Sequence, residues 1–189
     1  MSAVATITVT APVIAPGTWV ADPVHSRVEF AVKHLGIATV RGTFDKFEGA
    51  FELGDDISTA TLTAAIDVAS INTNEEQRDA HLRSADFFAA ETYPQLTFRS
   101  TKVEPLDADA FRIIGELTMH GVTREVTLEA VVQGTETDPW GNDRVGLEIV
   151  GQLNRGDFGM QFNQVLGSGN LVVSDKVKLN LDISAVKQP

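Results

Sequence analysis

Apolar and polar residues alternate one by one along most of this chain, and that period of two constrains its fold more than any other feature. A helix repeats its apolar residues every three or four positions; a half-buried strand repeats them every second position. In the first segment Val24, Ser26, Val28, Phe30 and Val32 share one face, while His25, Arg27, Glu29 and Lys33 share the other. Segment 39–53 carries Val40, Gly42 and Phe44 in one phase, then Phe47, Gly49, Phe51 and Leu53 in the opposite phase. The change of phase at Asp45-Lys46 predicts a bulge or sharp bend, which the glycines allow. Alternation recurs over 62–68, 96–98, 111–119, 126–132, 145–153 and 177–183, which makes eight strands.

Turn signals separate most of them: Gly54-Asp55-Asp56, Pro105-Leu106-Asp107, Gly121, and the clusters at 138–142 and 167–170. Short connections make neighbours antiparallel. A sheet of eight twisted strands must hide two edges, and closing into a barrel does so. The expected fold is therefore an all-β, eight-stranded antiparallel barrel, with a two-sheet sandwich as the competing arrangement. Residues 73–83 break the pattern and have helix chemistry. Thr73 with Glu76, or Asn74 with Gln77, fits a capping box. One short helix between the third and fourth strands cannot cover a barrel wall, but it can lie across an open end.

At 189 residues, with 43% apolar residues, the chain suits one domain with a substantial core. Residues 1–17 read as a flexible tail, with an added edge strand as the alternative, and 18–186 as the barrel domain. The formal charge of −11 argues against nucleic acid as a partner and for a soluble protein with a neutral, cationic or buried partner. Cysteine is absent, so disulfides and thiolate chemistry are excluded. No stretch has the length and apolarity of a membrane span, so no integral membrane association is expected. The first residues lack a basic start and are interrupted by threonines, which reads poorly as a secretory signal and points to the cytoplasm.

An eight-stranded barrel stands at the threshold between a filled interior and one that holds a ligand. The inward phase contains Phe30, Val32, Phe44, Phe51, Ile66, Phe98, Phe111, Leu117 and Met119, interleaved with small residues such as Gly42, Ala64, Gly115 and Ala130. Large residues facing small ones either pack a solid core or line a hollow; alternation alone leaves both open.

Three polar clusters invite a chemical reading: Asp22 to Ser26 with His34, Arg78 to Leu82, and Arg155 to Gly159. His25 and His34 are nine residues apart and fall on opposite faces of a regular strand, so no metal site is expected. No nucleophile elbow or triad spacing is present. Asp79 and His81 could serve as acid and base, although such residues more often tie a helix to strand ends. Arg155 and Asp157 read as a strand-end ion pair or turn. The reading is non-enzymatic, with neither metal nor cofactor. An enzyme and a solid-cored interaction protein using Trp140 are the alternatives.

Seven ordered blocks resemble one known family. They are His25-Ser26 through Phe30 to His34; Val40-Arg41-Gly42 with Phe44, Phe47 and Gly49; Ser70-Ile71 with Thr73; Arg78-Asp79, His81-Leu82 and Asp86-Phe87-Phe88; Tyr93-Pro94 with Leu96 and Phe98; Gly115, Leu117-Thr118 and Gly121-Val122; and Arg155, Asp157-Phe158-Gly159. Together they are similar to the YceI-like, or lipid/polyisoprenoid-binding, family over residues 18–186. Gly156 departs from the serine usual there, and Ala89-Ala90 from a more polar stretch. The resemblance implies a lipocalin-like barrel with a tunnel that binds, carries or sequesters an isoprenoid lipid, such as a polyprenyl phosphate or quinone, or another elongated apolar ligand. It adds Phe158 to the lining and makes His25, His34, Arg78, Asp79 and His81 candidates for the mouth or head group. It also makes a periplasmic or secreted location the alternative to the cytoplasm. A homodimer is compatible with all of this.

Overall fold

The structure, a computed structural model, describes residues 14–189. Its strands are β1 (Gly17–Ala21), β2 (Arg27–His34), β3 (Ala38–Phe44), β4 (Phe47–Leu53), β5 (Thr61–Asp67), β6 (Ile71–Asn72), β7 (Gln95–Pro105), β8 (Ala110–Met119), β9 (Val122–Thr137), β10 (Asp143–Asn154) and β11 (Val173–Lys187). Helix α1 covers Glu76–Arg83.

Pairing runs β1-β4-β5-β7-β8-β9-β10-β11, and β11 returns to β1. The ring is closed by Trp19↔Lys187, Val20↔Val186 and Ala21↔Ala185. It is an eight-stranded antiparallel barrel, and closure removes the edges that a sandwich would leave. The rest of β11 pairs with β2, β2 with β3, and β3 with β6. Thus β1 with β2, β3 with β4, and β5 with β6 each act as one broken wall strand.

The break between β3 and β4 falls at Asp45-Lys46, where the phase change predicts it. It is stitched to the β5–β6 corner: Asp45 N–H donates to Ser70 O at 3.2 Å and Lys46 N–H to Ser70 Oγ at 3.0 Å. Phe44 and Phe47 both face inward across this odd step.

Residues 1–13, most of the expected tail, lie outside the described residues. Ile14 is 4% exposed in the same core cluster as Trp19, and Gly17 opens β1 against Leu53. Burial of Ile14 therefore starts the barrel before residue 18.

The capping box is not formed. Glu75 caps α1 instead, its carboxylate accepting the Gln77 and Arg78 N–H groups at 3.1 and 2.6 Å. Thr73 is occupied elsewhere: its N–H and hydroxyl both donate to Asp79 Oδ1. The helix packs beside β6, and the chain after it brings Phe87 and Phe88 over the interior.

Two apolar clusters occupy the barrel, one towards each end. One, with Ile14, Trp19, Val103, Ile113 and Val145, closes the end away from α1. The other, with Val28, Phe44, Leu96, Met119, Phe158 and Met160, lies at the helix end.

Candidate functional site: an apolar tunnel

The interior is not packed solid. A cavity of about 240 Å³ runs between the two clusters, bounded by Phe51, Leu147 and Ala185 towards one end and by Leu82, Phe88 and Met160 towards the other. Along β11 its wall reaches from Val173 to Ala185. At about 3.3 Å per residue and a tilt near 40°, that is roughly 30 Å along the barrel axis. The volume falls a little below the roughly 300–1,000 Å³ of compact ligand pockets. Length and volume together describe a slender bore.

Large-against-small alternation shapes this bore. A side chain on Gly115 would meet the Phe98 ring and the Arg99 carbonyl, each at 2.5 Å. One on Gly42 would strike the Phe30 ring and Thr73. Each ring lies over a glycine of the neighbouring strand, which draws it towards the wall and leaves the axis open.

Eight of the expected lining residues bound the cavity: Phe30, Val32, Phe44, Phe51, Ile66, Phe98, Leu117 and Met119. Phe111 and Phe158 sit elsewhere. Phe111 packs against the cluster at the far end, and Phe158 is buried in the helix-end cluster beneath the cavity wall. Phe47, Leu82, Phe87, Phe88 and Met160 also line the tunnel, a place the sequence does not assign to them. Phe47 follows the phase change. The other four lie on the helix or in connections, where period-two alternation gives no signal.

The five polar mouth candidates are not brought together. His25 lies between β1 and β2, 2.7 Å from Asp22, and its ring is largely exposed. His34 ends β2, half-buried, opposite Val173. Arg78 donates from Nε and Nη2 to the hydroxyl and carbonyl of Thr73, at 2.7 and 2.9 Å. Asp79 is buried against the same threonine. His81 bonds to Asp86 at 2.8 Å, not to Asp79, and its ring packs edge-on against Phe87 and Phe162. Arg78 and Asp79 therefore fasten α1 to its approach strand.

Arg155 reaches the tunnel wall at the helix end. It is buried, donates to Ser174 O and Met160 O, and pairs with Asp175 at 3.1 Å, not with Asp157. Burial lowers its pKa, and the Asp175 charge opposes that shift. At the other side Arg144 bridges Asp22 and Asp138, at 2.9 and 2.8 Å. Its hydrogen bond holds the Asp22 carboxyl at about 2, with help from His25. Among the described residues no cluster of three or more His, Asp or Glu is placed to hold a metal, and no helix is long and apolar enough to cross a membrane.

A closed antiparallel barrel around an elongated apolar hollow, capped at one end by a helix, defines the class of protein. The chain belongs to the YceI-like family: the family model for the YceI-like domain matches residues 19–185. It is 40% identical over 165 residues to Protein YceI of Escherichia coli O157:H7, covering 87% of this chain and 83% of that protein. The crystal structure of BcnA from Burkholderia cenocepacia superposes with a TM-score of 0.76 at 22% identity, over 87% of this chain and 98% of that one. A polyisoprenoid binding domain from Saccharophagus degradans, implicated in plant cell wall breakdown, shares the fold with a TM-score of 0.66 at 17% identity, over 90% and 98% of the two chains.

Proposed function

We propose that this protein binds one elongated apolar ligand along its barrel axis, an isoprenoid chain being the favoured class, and carries or sequesters it without chemical change. The observation that supports this most is the apolar cavity of about 240 Å³, whose wall spans most of the barrel's length. A slender bore suits a single chain better than a compact molecule. Burying about ten methylene equivalents contributes roughly 8 kcal/mol at about 0.8 each, which corresponds to micromolar binding before ordering costs. The name of the Saccharophagus domain, whose fold this chain shares, agrees with the same class.

Native mass spectrometry of the purified protein should show a mass excess that organic extraction removes, and extracted protein should take up polyprenyl alcohols, phosphates or quinones at a ratio of about one per chain. Protein that arrives empty and refuses all three would sink the reading.

A further inference from the structure

Most of the tunnel wall is carbon, and Arg155, the cation that reaches it at the helix end, already donates to Ser174 O and Met160 O and pairs with Asp175, so a polar head group finds few spare donors inside. A second cavity of about 430 Å³ lies beside it and is polar. The two share Val28, Glu29, Phe44 and Phe47 as walls. The hydrogen-bond ladder is interrupted where they meet. The last β1–β4 pair is Val20↔Ala50, and the first β2–β3 pair is Val28↔Phe44. Residues 21–27 and 45–49 form no ladder with each other, so at this side window the two cavities are separated by side chains, Val28, Phe44 and Phe47 among them, and not by paired backbone.

Arg27 borders this window, Arg41 lines the same polar cavity from the paired part of β3, and the two share one carboxylate. Arg27 Nη2 lies 3.1 Å from Glu29 Oε2, and Arg41 Nε lies 3.6 Å from Glu29 Oε1. A guanidinium carries five N–H donors, so most donors of both arginines have no protein partner among the described residues. Their side chains are 62% and 63% exposed, an ion-pair setting of little intrinsic strength. The other carboxylate, Asp45, is already bonded by Thr43 Oγ1 and Asn72 Nδ2 at 2.8 and 3.0 Å. Two forked cations with spare donors match the oxygens of a phosphate.

We infer that this side vestibule seats a phosphate-type anionic head group while the attached chain passes through the window into the tunnel. The inference rests on the tunnel reading above. Glu29 holds the two arginines in place when the seat is empty, and the incoming anion displaces it.

The test compares farnesyl phosphate, farnesol and inorganic phosphate by calorimetry. Wild type should bind the phosphate about tenfold more tightly than the alcohol. Arg27→Gln with Arg41→Gln should erase that preference and leave farnesol binding unchanged. Glu29→Gln should increase the preference, while Glu116→Gln, the same charge change on β8, should not. Equal affinity for the two lipids in wild type, or a preference that survives in the double variant, overturns the inference and leaves the tunnel standing. Inorganic phosphate binding as tightly as farnesyl phosphate also overturns it, since the site would then hold a free anion. Failure of both lipids to bind overturns the tunnel and the vestibule together.

Discussion

Asp79 carries more of the local structure than its place on a short polar helix suggests. Its Oδ1 accepts both the N–H and the hydroxyl of buried Thr73, and Arg78 closes the group by donating to the same hydroxyl. Asp79→Ala leaves the Thr73 N–H buried without an acceptor, which costs about 1–3 kcal/mol. Urea unfolding of the variant should show that loss, and Asp79→Asn, which keeps an acceptor oxygen, should recover much of it. Arg144 has a pH signature instead. It holds Asp22 at about 2, against an ordinary carboxyl near 3.9. A depressed carboxyl stabilises the fold fully above its unfolded pKa and loses that effect as pH falls through the folded value. Removing Arg144 should therefore lower the melting temperature at pH 7, and the gap from wild type should narrow as pH falls from about 4 to 2, while Asp138, which Arg144 holds lower still, keeps part of it below that. A gap that stays constant over that window would show that the ion pair is not its source.

Whether an element was legible in the sequence depended on whether it kept a period. β8, β9, β10 and β11 are long, half-buried strands, and their alternation marks each from sequence. The bend at Asp45-Lys46 is equally plain because a phase change is a statement about faces. β1 is missed because five residues hold too few alternations to stand out from an apolar, threonine-rich approach. The cap escapes for a different reason: Phe87, Phe88 and Met160 take their places through long-range packing, which leaves no local pattern. The side window is hidden too, since it depends on which strand pairs stop where. The glycines on the inward face of β3 and β8 were visible as small residues, but their purpose needed the register. Gly115 lies under Phe98, so Gly115→Ala forces either that ring or the Arg99 backbone to move. The overpacked variant should lose about 1–3 kcal/mol in urea unfolding. A fully stable Gly115→Ala protein would mean that the Phe98 ring is free to leave the wall.

At the scale of the whole molecule, closure and hollowness are linked. The ring returns from β11 to β1, so the inward face offers a ligand side chains and not a sheet edge, and burial of apolar surface is the driving force left to the interior. Trp19 and its neighbours close one end, while Phe87, Phe88 and Met160 narrow the other. The folded barrel therefore holds apolar wall that faces no protein atom. Gly49 tests what that surface is for. It lines the tunnel, and a β-carbon there meets its nearest neighbours at 3.6–3.9 Å, ordinary contact distances. Gly49→Leu should fold, with a melting temperature close to wild type, because its four added carbons enter empty space. Those carbons displace about four methylenes of ligand, at roughly 0.8 kcal/mol each, so uptake should weaken by about a hundredfold. Thermal unfolding and lipid uptake measured on the same sample separate the outcomes. A stable barrel that no longer binds ties the ligand to the bore, whereas a stable barrel that binds as before places the ligand outside it.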